Sequence, residues 1–343
     1  MALGGRLSSF TSSPGGEMVD AGGLNPPGPE GPCGFESRPG YVSGFRRVWR
    51  RVPGRHASIL QHLESWQVDN FACFIMETAS GSADIFGDDR KIFKWASVSK
   101  LASTLAVLSA VTEGVLTLDA ELPNGSILSD VLAHASGLGQ EIDTSLGIFE
   151  QKVVIKPRTK RIYSNAGFEL LAANLERESG FEFSDYLHEV LFSVTAMDGA
   201  SVSGELWPHA GRTGAAAGVS GSIRDLLGLA QAVVWGTPFV DADLLKQAKL
   251  PYISDLPGIL PGFGEMRRNY WGLGIEVRGD KFPHWTSKRN SPATYGHFGA
   301  AGTFLWVDPV QGLSVGVLTD RAFGPWAQRA WPEFSSVVLD AFR

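Results

Sequence analysis

The sequence predicts an α+β fold: an antiparallel β-sheet flanked by terminal helices, joined to a mostly helical lobe. Three observations carry that prediction. Apolar, strand-like runs lie at 71–79 and again in the last quarter of the chain. Between them, from about Lys100 to Ala232, apolar helical runs alternate with Gly- and Pro-containing loops. A last helical stretch closes the chain. Strands from both regions can share one sheet with the terminal helices packed on it, and clefts between such lobes commonly hold ligands.

Taken in order, residues 1–54 read as a disordered Gly- and Pro-rich tail with a basic end. The stretch "SSPGGEMVDAGGLNPPGPEGPCGFESRPG" has too few large apolar side chains to form a core. In "FRRVWRRVPGR", Arg46, Arg47, Arg50, Arg51 and Arg55 surround Trp49, either as an anchor for an acidic partner or lipid surface or as a solvated linker. The ordered domain is expected over 55–343, with a sheet lobe at about 55–97 and 266–343 and a helical lobe at about 98–265. "HASILQHLESW" spaces Ile59, Leu60, Leu63 and Trp66 for one helical face. "FACFIMETA" is a short apolar strand, and "GSADIFGDD" reads as turn chemistry. Lys100 to Val115 is helical and mostly apolar, stopping at Gly114. "YWGLGIEVRG", "GTFLWVDP" and "GLSVGVLTDR" read as strands, and "GPWAQRAWPEFSSVVLDAFR" as the closing helix.

Composition narrows the function. The chain has 343 residues, 43% hydrophobic and 19% charged, with a formal net charge of -6. Nucleic-acid binding needs a basic face, and the acidic balance argues against it. Cys33 and Cys73 cannot build a disulfide framework, and no Cys/His spacing calls for a metal or other cofactor. No apolar run approaches the roughly 20 residues of a membrane helix, and the N-terminus lacks the apolar core of a signal peptide. A cytoplasmic location is the resulting expectation.

The chemistry begins at "KWASVSKLAST". Ser97 and Lys100 stand three apart, which places them on one face of a helix. A serine hydroxyl needs a neighbour to take its proton, and a desolvated lysine can do so. Ser97 could equally cap the helix while Lys100 is a solvated charge, because a chain of this length holds on the order of one such spacing by chance. Two further motifs follow in order. Tyr163-Ser164-Asn165 opens another apolar helix, where Asn165 alone would read as an N-cap. His297-Phe298-Gly299 begins a strand; a second His-x-Gly, at His209, lies in a Gly-rich loop with no strand after it.

The ordered set SxxK, YxN and HxG resembles the serine β-lactamase and penicillin-binding protein superfamily. It looks most like the class C β-lactamase-related esterases and their D-aminopeptidase or carboxypeptidase relatives. "LSDVLAHASGL", "GVSGSIRDLLGLA", "WGLGIEV" and "GHFGAAGTFLWVDPVQGLSVGVLTD" resemble further family segments, so the likeness runs from about Asn70 to the C-terminus. It implies the β-lactamase/transpeptidase-like fold. It also implies Ser97 as acylated nucleophile, Lys100 as its base, and Tyr163 as second base. Asn165 would position Lys100 and the substrate carbonyl, His297 fills the third motif, and Gly299 allows close approach of the strand. The oxyanion would be held by the N–H groups of Ser97 and Ala300. His134 falls in a segment that is structural in the family, and His284 and Trp285 are candidates for the pocket mouth.

Two departures limit the substrate. The family's β-lactamases carry Lys where His297 stands, and histidine is only partly charged at neutral pH. Arg158 occupies a position where glycine is common; with Lys160 and Arg161 it reads as solvated loop charge or as a collector of acidic substrate. The expected activity is hydrolysis of a small ester or amide, with weak or no β-lactamase activity. Acyl transfer from the same intermediate, and a non-catalytic binding protein on this fold, are the alternatives.

Overall fold

A six-stranded antiparallel sheet, built from strands far apart in the chain, carries the fold. The computed structural model describes residues 55–204 and 213–343. The tail, with Arg46, Arg47, Arg50 and Arg51 of its arginine cluster, Cys33 and the His-x-Gly at His209 lie outside the described residues.

Helix α1 (Arg55–Glu64) leads into the hairpin β1 (Phe71–Glu77) and β2 (Ala83–Gly87). The short β3 (Phe93–Lys94) and a 3-10 turn, Ala96–Val98, precede α2 (Ser99–Thr112). The helical middle contains α3 (Leu128–Leu132), α4 (Asn165–Ser179) and α5 (Phe183–Leu187), then β4 (Ser201–Val202) and β5 (Val219–Gly221). After α6 (Ile223–Trp235) and α7 (Ala242–Ala248) comes a small hairpin, β6 (Gly258–Leu260) and β7 (Gly264–Met266). The chain closes with β8 (Glu276–Val277), β9 (Tyr295–Gly299), β10 (Thr303–Asp308), β11 (Leu313–Thr319) and α8 (Pro325–Ala341). The large sheet runs β2-β1-β11-β10-β9-β8, so β1 reaches across the sequence to pair Phe71 with Thr319 and Glu77 with Leu313.

Burial on both faces explains why the strands read as continuous apolar runs rather than alternating ones. Cys73 and Ile75 join Phe304, Trp306, Val315 and Val317 on the face covered by α1 and α8. There Trp66 packs edge-on to Phe334 at 5.2 Å, and Phe304 lies 5.0 Å from Trp331. Each fully buried aromatic of this kind contributes about 1.5–3 kcal/mol relative to exposure. The opposite face receives α6, which starts on a capping box: Ser222 Oγ accepts from the Asp225 N–H, and Asp225 Oδ2 accepts from the Ser222 N–H. Contact is close because Gly316 has no side chain; a Cβ there would stand 2.2 Å from the Phe74 ring and 2.8 Å from Leu226.

Two segments differ from expectation. "GSADIFGDD" forms β2 rather than a turn, because pairing with β1 and burial of Ala83 and Phe86 supply what its local sequence lacks. The expected strand "YWGLGIEVRG" keeps only Glu276–Val277 in the sheet, with an isolated bridge from Trp271 to Glu276. Gly272, whose Cβ would lie 1.9 Å from the Ala248 carbonyl, and Gly274, at φ +71°, fold the intervening residues into a tight loop.

The contact at Gly316 sets a test of this packing. Gly316→Ala is expected to overpack the α6 interface and cost about 1–3 kcal/mol, read as a lower midpoint in urea unfolding with an unchanged slope.

Candidate active site

The turn that carries Ser97 is pinned from two sides. On one, the Trp95 N–H donates to the Val219 carbonyl at 3.0 Å and its indole N–H to Gly221 at 3.2 Å. On the other, Thr303 Oγ1 donates to the Trp95 carbonyl at 2.8 Å. Gly299 makes the second approach possible, since a Cβ there would lie 2.4 Å from the Trp95 carbonyl oxygen and 3.1 Å from Ala96 Cβ. Ala96 takes φ +47°, a left-handed conformation that a non-glycine residue holds only where its surroundings over-determine it. The helix-cap reading of Ser97 is corrected: α2 begins at Ser99, its N-cap is Val98, and no side chain caps it. Ser99 instead ties the helix start to β5, its Oγ accepting from the Val219 N–H at 2.9 Å.

Lys100 is fully buried on α2. Its Nζ donates to Asn165 Oδ1 and to the Ala216 carbonyl, both at 2.7 Å, and lies 4.7 Å from the centre of the Tyr163 ring. Burial lowers its pKa to about 7, against the opposing pull of Glu169 and Glu141. Neither carboxylate bonds to the amine. Glu169, buried on α4, accepts from the N–H groups of Thr213 and Ala216 and from Thr213 Oγ1, and so fixes the loop whose carbonyl holds Lys100. Glu141 accepts from Asn165 Nδ2 at 2.9 and 3.1 Å.

Ser164, not Asn165, caps α4: its Oγ accepts from the Gly167 N–H at 2.9 Å, which frees the Asn165 side chain to bridge Lys100 and Glu141. Burial pushes the Tyr163 phenol well above its ordinary pKa, with a smaller lowering from the nearby Ser97 hydroxyl. His134 packs 4.8 Å behind Tyr163, and its Nδ1 accepts from the Ser164 N–H at 3.0 Å, so it supports the motif from beneath.

His297 lies on β9 and is also buried. Its Nδ1 is 2.7 Å from the Phe298 carbonyl. A carbonyl can only accept, so Nδ1 carries the proton and Nε2 is left as a bare acceptor. Burial, reinforced by Lys100, lowers the His297 pKa to about 3. The third motif is therefore uncharged at neutral pH.

Ser97, Tyr163, Asn165, His297 and Ala300 line one cavity of about 200 Å³, together with Glu141 and Trp271. Leu260, Pro261 and Gly262 of the β6–β7 hairpin, with Phe298 and Phe323, make its other wall apolar. Among the described residues, the backbone N–H groups of Ser97 and Ala300 donate to no carbonyl, which leaves both available to an oxyanion. No group of metal-ligating side chains stands together among the described residues.

Several functional residues escaped the sequence reading. Glu169 carried a signal, a charge inside the apolar run "FELLAANL"; Glu141 and Trp271 carried none. Glu276 also borders the cavity, its oxygens engaged by Lys281 Nζ and His284 Nε2 on one side and the Trp285 indole N–H on the other. His284 and Trp285 thus hold Glu276 from behind and do not line the mouth. The basic trio does not serve the cavity either. Arg161 is buried and donates to the carbonyls of Ala133, Tyr252 and Ile253, while Arg158 pairs with Asp130 at 2.8 Å. Lys160 stands 4.0 Å from Glu265.

With this geometry in view, the chain can be compared with known proteins. The family profile described as Beta-lactamase matches residues 87–336. The chain belongs to the beta-lactamase family. A crystal structure of a beta-lactamase from Mycobacterium bovis is 37% identical, with a TM-score of 0.75, covering 83% of this chain and 99% of that one. Simvastatin synthase from Aspergillus terreus shares 13% identity at a TM-score of 0.66, over 84% of this chain and 94% of that one. EstCE1, a hydrolase with promiscuous acyltransferase activity, shares 16% at a TM-score of 0.65, over 83% and 97%. The last two are likenesses of fold. The search of curated proteins finds no match.

Glu169 gives the site's most direct electrostatic test. Glu169→Gln places an amide donor against N–H groups and is expected to cost about 1–3 kcal/mol. Removing the anion also takes away the stronger of the two attractions that raise the Lys100 pKa, so the titration of Lys100 moves to lower pH. NMR of lysine-labelled protein across pH 5–9 checks the direction.

Proposed function

We propose that this protein is a serine hydrolase that cleaves a small ester or amide through an acyl-serine intermediate. The observation that supports this reading best is the state of Lys100. It is a buried amine three residues after Ser97, with a pKa of about 7 and no carboxylate bonded to it. A neutral amine has two N–H bonds and one lone pair. Asn165 Oδ1 and the Ala216 carbonyl take the two N–H bonds, so the lone pair is left to accept a proton.

In this scheme Lys100 takes the Ser97 hydroxyl proton as Oγ bonds to the substrate carbonyl carbon. The carbonyl oxygen becomes an oxyanion between the N–H groups of Ser97 and Ala300. Collapse expels the alcohol or amine, which takes a proton from the Tyr163 phenol; the proton on Lys100 restores the phenol. Water then attacks the acyl-serine with proton transfer in the reverse sense, and Ser97 is released with its proton. A raised Tyr163 pKa suits this role, because the phenol stays protonated until a stronger base forms beside it. Asn165 positions Lys100, and Gly299 seats β9 against the nucleophile turn.

The neutral His297 argues for an uncharged or cationic substrate in place of the anionic β-lactams, so β-lactam turnover is expected to be weak or absent. An alcohol or amine could replace water at the second step, giving acyl transfer; the promiscuous acyltransferase activity of EstCE1 shows that a hydrolase of this fold can do both.

Wild-type protein is expected to form a +fluorophosphonate adduct by intact mass and to release p-nitrophenol in a burst from p-nitrophenyl acetate. Ser97→Ala should do neither, and labelling that survives it would assign the nucleophile elsewhere. The acylation rate should rise with pH through about 7 as Lys100 loses its proton, then level off. Lys100→Ala should slow acylation on the order of 10²-fold or more, with Tyr163→Phe also impaired; near-wild-type rates in both would refute the proton-transfer scheme.

A further inference from the structure

A second cavity, of about 410 Å³, shares no lining residue with the catalytic one and is larger than it. Its size falls within the roughly 300–1,000 Å³ of small-molecule sites. Leu118, Ile127, Leu250 and Leu273 give it apolar walls, and Leu250 is 54% exposed, a large apolar side chain left uncovered. Ser129, Arg158 and Tyr252 supply polar groups. Ser129 Oγ and Tyr252 Oη are 3.2 Å apart, and Arg158 Nη2 donates to Tyr252 Oη at 3.4 Å.

Arg158 holds φ +60°, a conformation that glycine adopts without strain and an arginine does not. What the arginine adds is a guanidinium with two bonding edges. Its Nε faces both oxygens of Asp130, at 3.0 and 2.8 Å, which uses one edge. Asp130 does not line the cavity, whereas Tyr252, beside Nη2, does, so the other edge of the fork stands at the cavity. Among the described residues Nη1 makes no hydrogen bond, and Nη2 has only the long one to Tyr252. An edge of two parallel N–H donors matches a carboxylate. Asp119, the other charged residue of the lining, is exposed to solvent, where its repulsion is screened.

We propose that this cavity is a second ligand site, for a small apolar monocarboxylate whose carboxylate sits on the free edge of Arg158 and whose hydrocarbon part lies on Leu118, Ile127, Leu250 and Leu273. It stands independently of the acyl-serine reading. The walls of the site are nonetheless continuous with the catalytic segments. The Tyr252 N–H donates to the carbonyl of Trp271, which lines the catalytic cavity, at 2.7 Å, and Leu273 belongs to the same tight loop as Trp271. Arg158 and Tyr163 share one short segment, held where the Arg158 N–H donates to the Ala135 carbonyl at 2.8 Å. A ligand here bears on both segments from the side away from Ser97.

Calorimetric titration of the full chain at neutral pH and fixed ionic strength tests this, with acetate, butyrate, hexanoate, hexan-1-ol and hexylammonium as probes. Affinity should rise roughly threefold to fourfold for each methylene buried between acetate and hexanoate. Hexanoate should bind about tenfold or more tighter than hexan-1-ol, the size of one charge-assisted hydrogen bond, with hexylammonium the weakest of the six-carbon probes. Arg158→Lys keeps a cation for Asp130 but removes the fork, so hexanoate should fall to the level of the alcohol. Asp119→Asn removes the opposing charge and should tighten hexanoate while leaving hexan-1-ol unchanged; being an exposed substitution, it decides the matter even where the Arg158 variant fails to fold. No binding of hexanoate to the wild type, or hexan-1-ol binding as tightly as hexanoate, would overturn the proposal. So would hexanoate binding that neither substitution alters, which would place the ligand elsewhere, the catalytic cavity included.

Discussion

A lysine with no solvent exposure, kept close to half-protonated, is the constraint on which the rest of the site depends. A carboxylate bonded directly to Lys100 would hold it protonated and useless as a base. The structure avoids this by placing a neutral group between the amine and each nearby anion. Asn165 bridges Lys100 and Glu141, giving its carbonyl to the first and its amide N–H bonds to the second. Glu169 spends its oxygens on the backbone of 213–216, and the Ala216 carbonyl, not the carboxylate, touches the amine. Both anions act through a longer path, where their attraction offsets part of the desolvation without cancelling it.

The scaffold follows from that requirement. Desolvation demands that α2 be buried from Ser99 to Ala110, so it cannot be a surface helix with one apolar stripe. It is instead wrapped by α4, α5 and the loop before β5, and its N-terminal end is fixed by bonds from β5 and β10 to the Trp95 backbone and Ser99. Gly299 links the two requirements: the large sheet can press its β9 end against the Ser97 turn only because that residue has no side chain.

This also explains what was legible in the sequence. Spacing is local information, so the i, i+3 relation of Ser97 and Lys100 and the apolar runs of β1, β10 and β11 could be read directly. Contacts that join distant segments could not. Glu141 meets Asn165 across a loop, and Glu169 meets Ala216 from another element; neither relation leaves a periodic trace. The strand β2 was missed for the same reason, since its order comes from β1. Arg158 shows the reverse case. Its place in a glycine position was plain, but its φ of +60° and its bond to Asp130 show a residue accepting the glycine's backbone conformation and anchoring the loop with its charge.

Histidine in the third motif has a consequence beyond the loss of a charge. A lysine at that position would stand near a second buried lysine in a site that desolvates both, and each would depress the ionisation of the other. Histidine escapes the conflict by becoming neutral: burial lowers its pKa, and Lys100 adds to the effect. Once neutral, it must choose a tautomer, and the Phe298 carbonyl makes that choice by requiring a donor from Nδ1. One substitution therefore turns a wall that would attract anions into one that offers a lone pair.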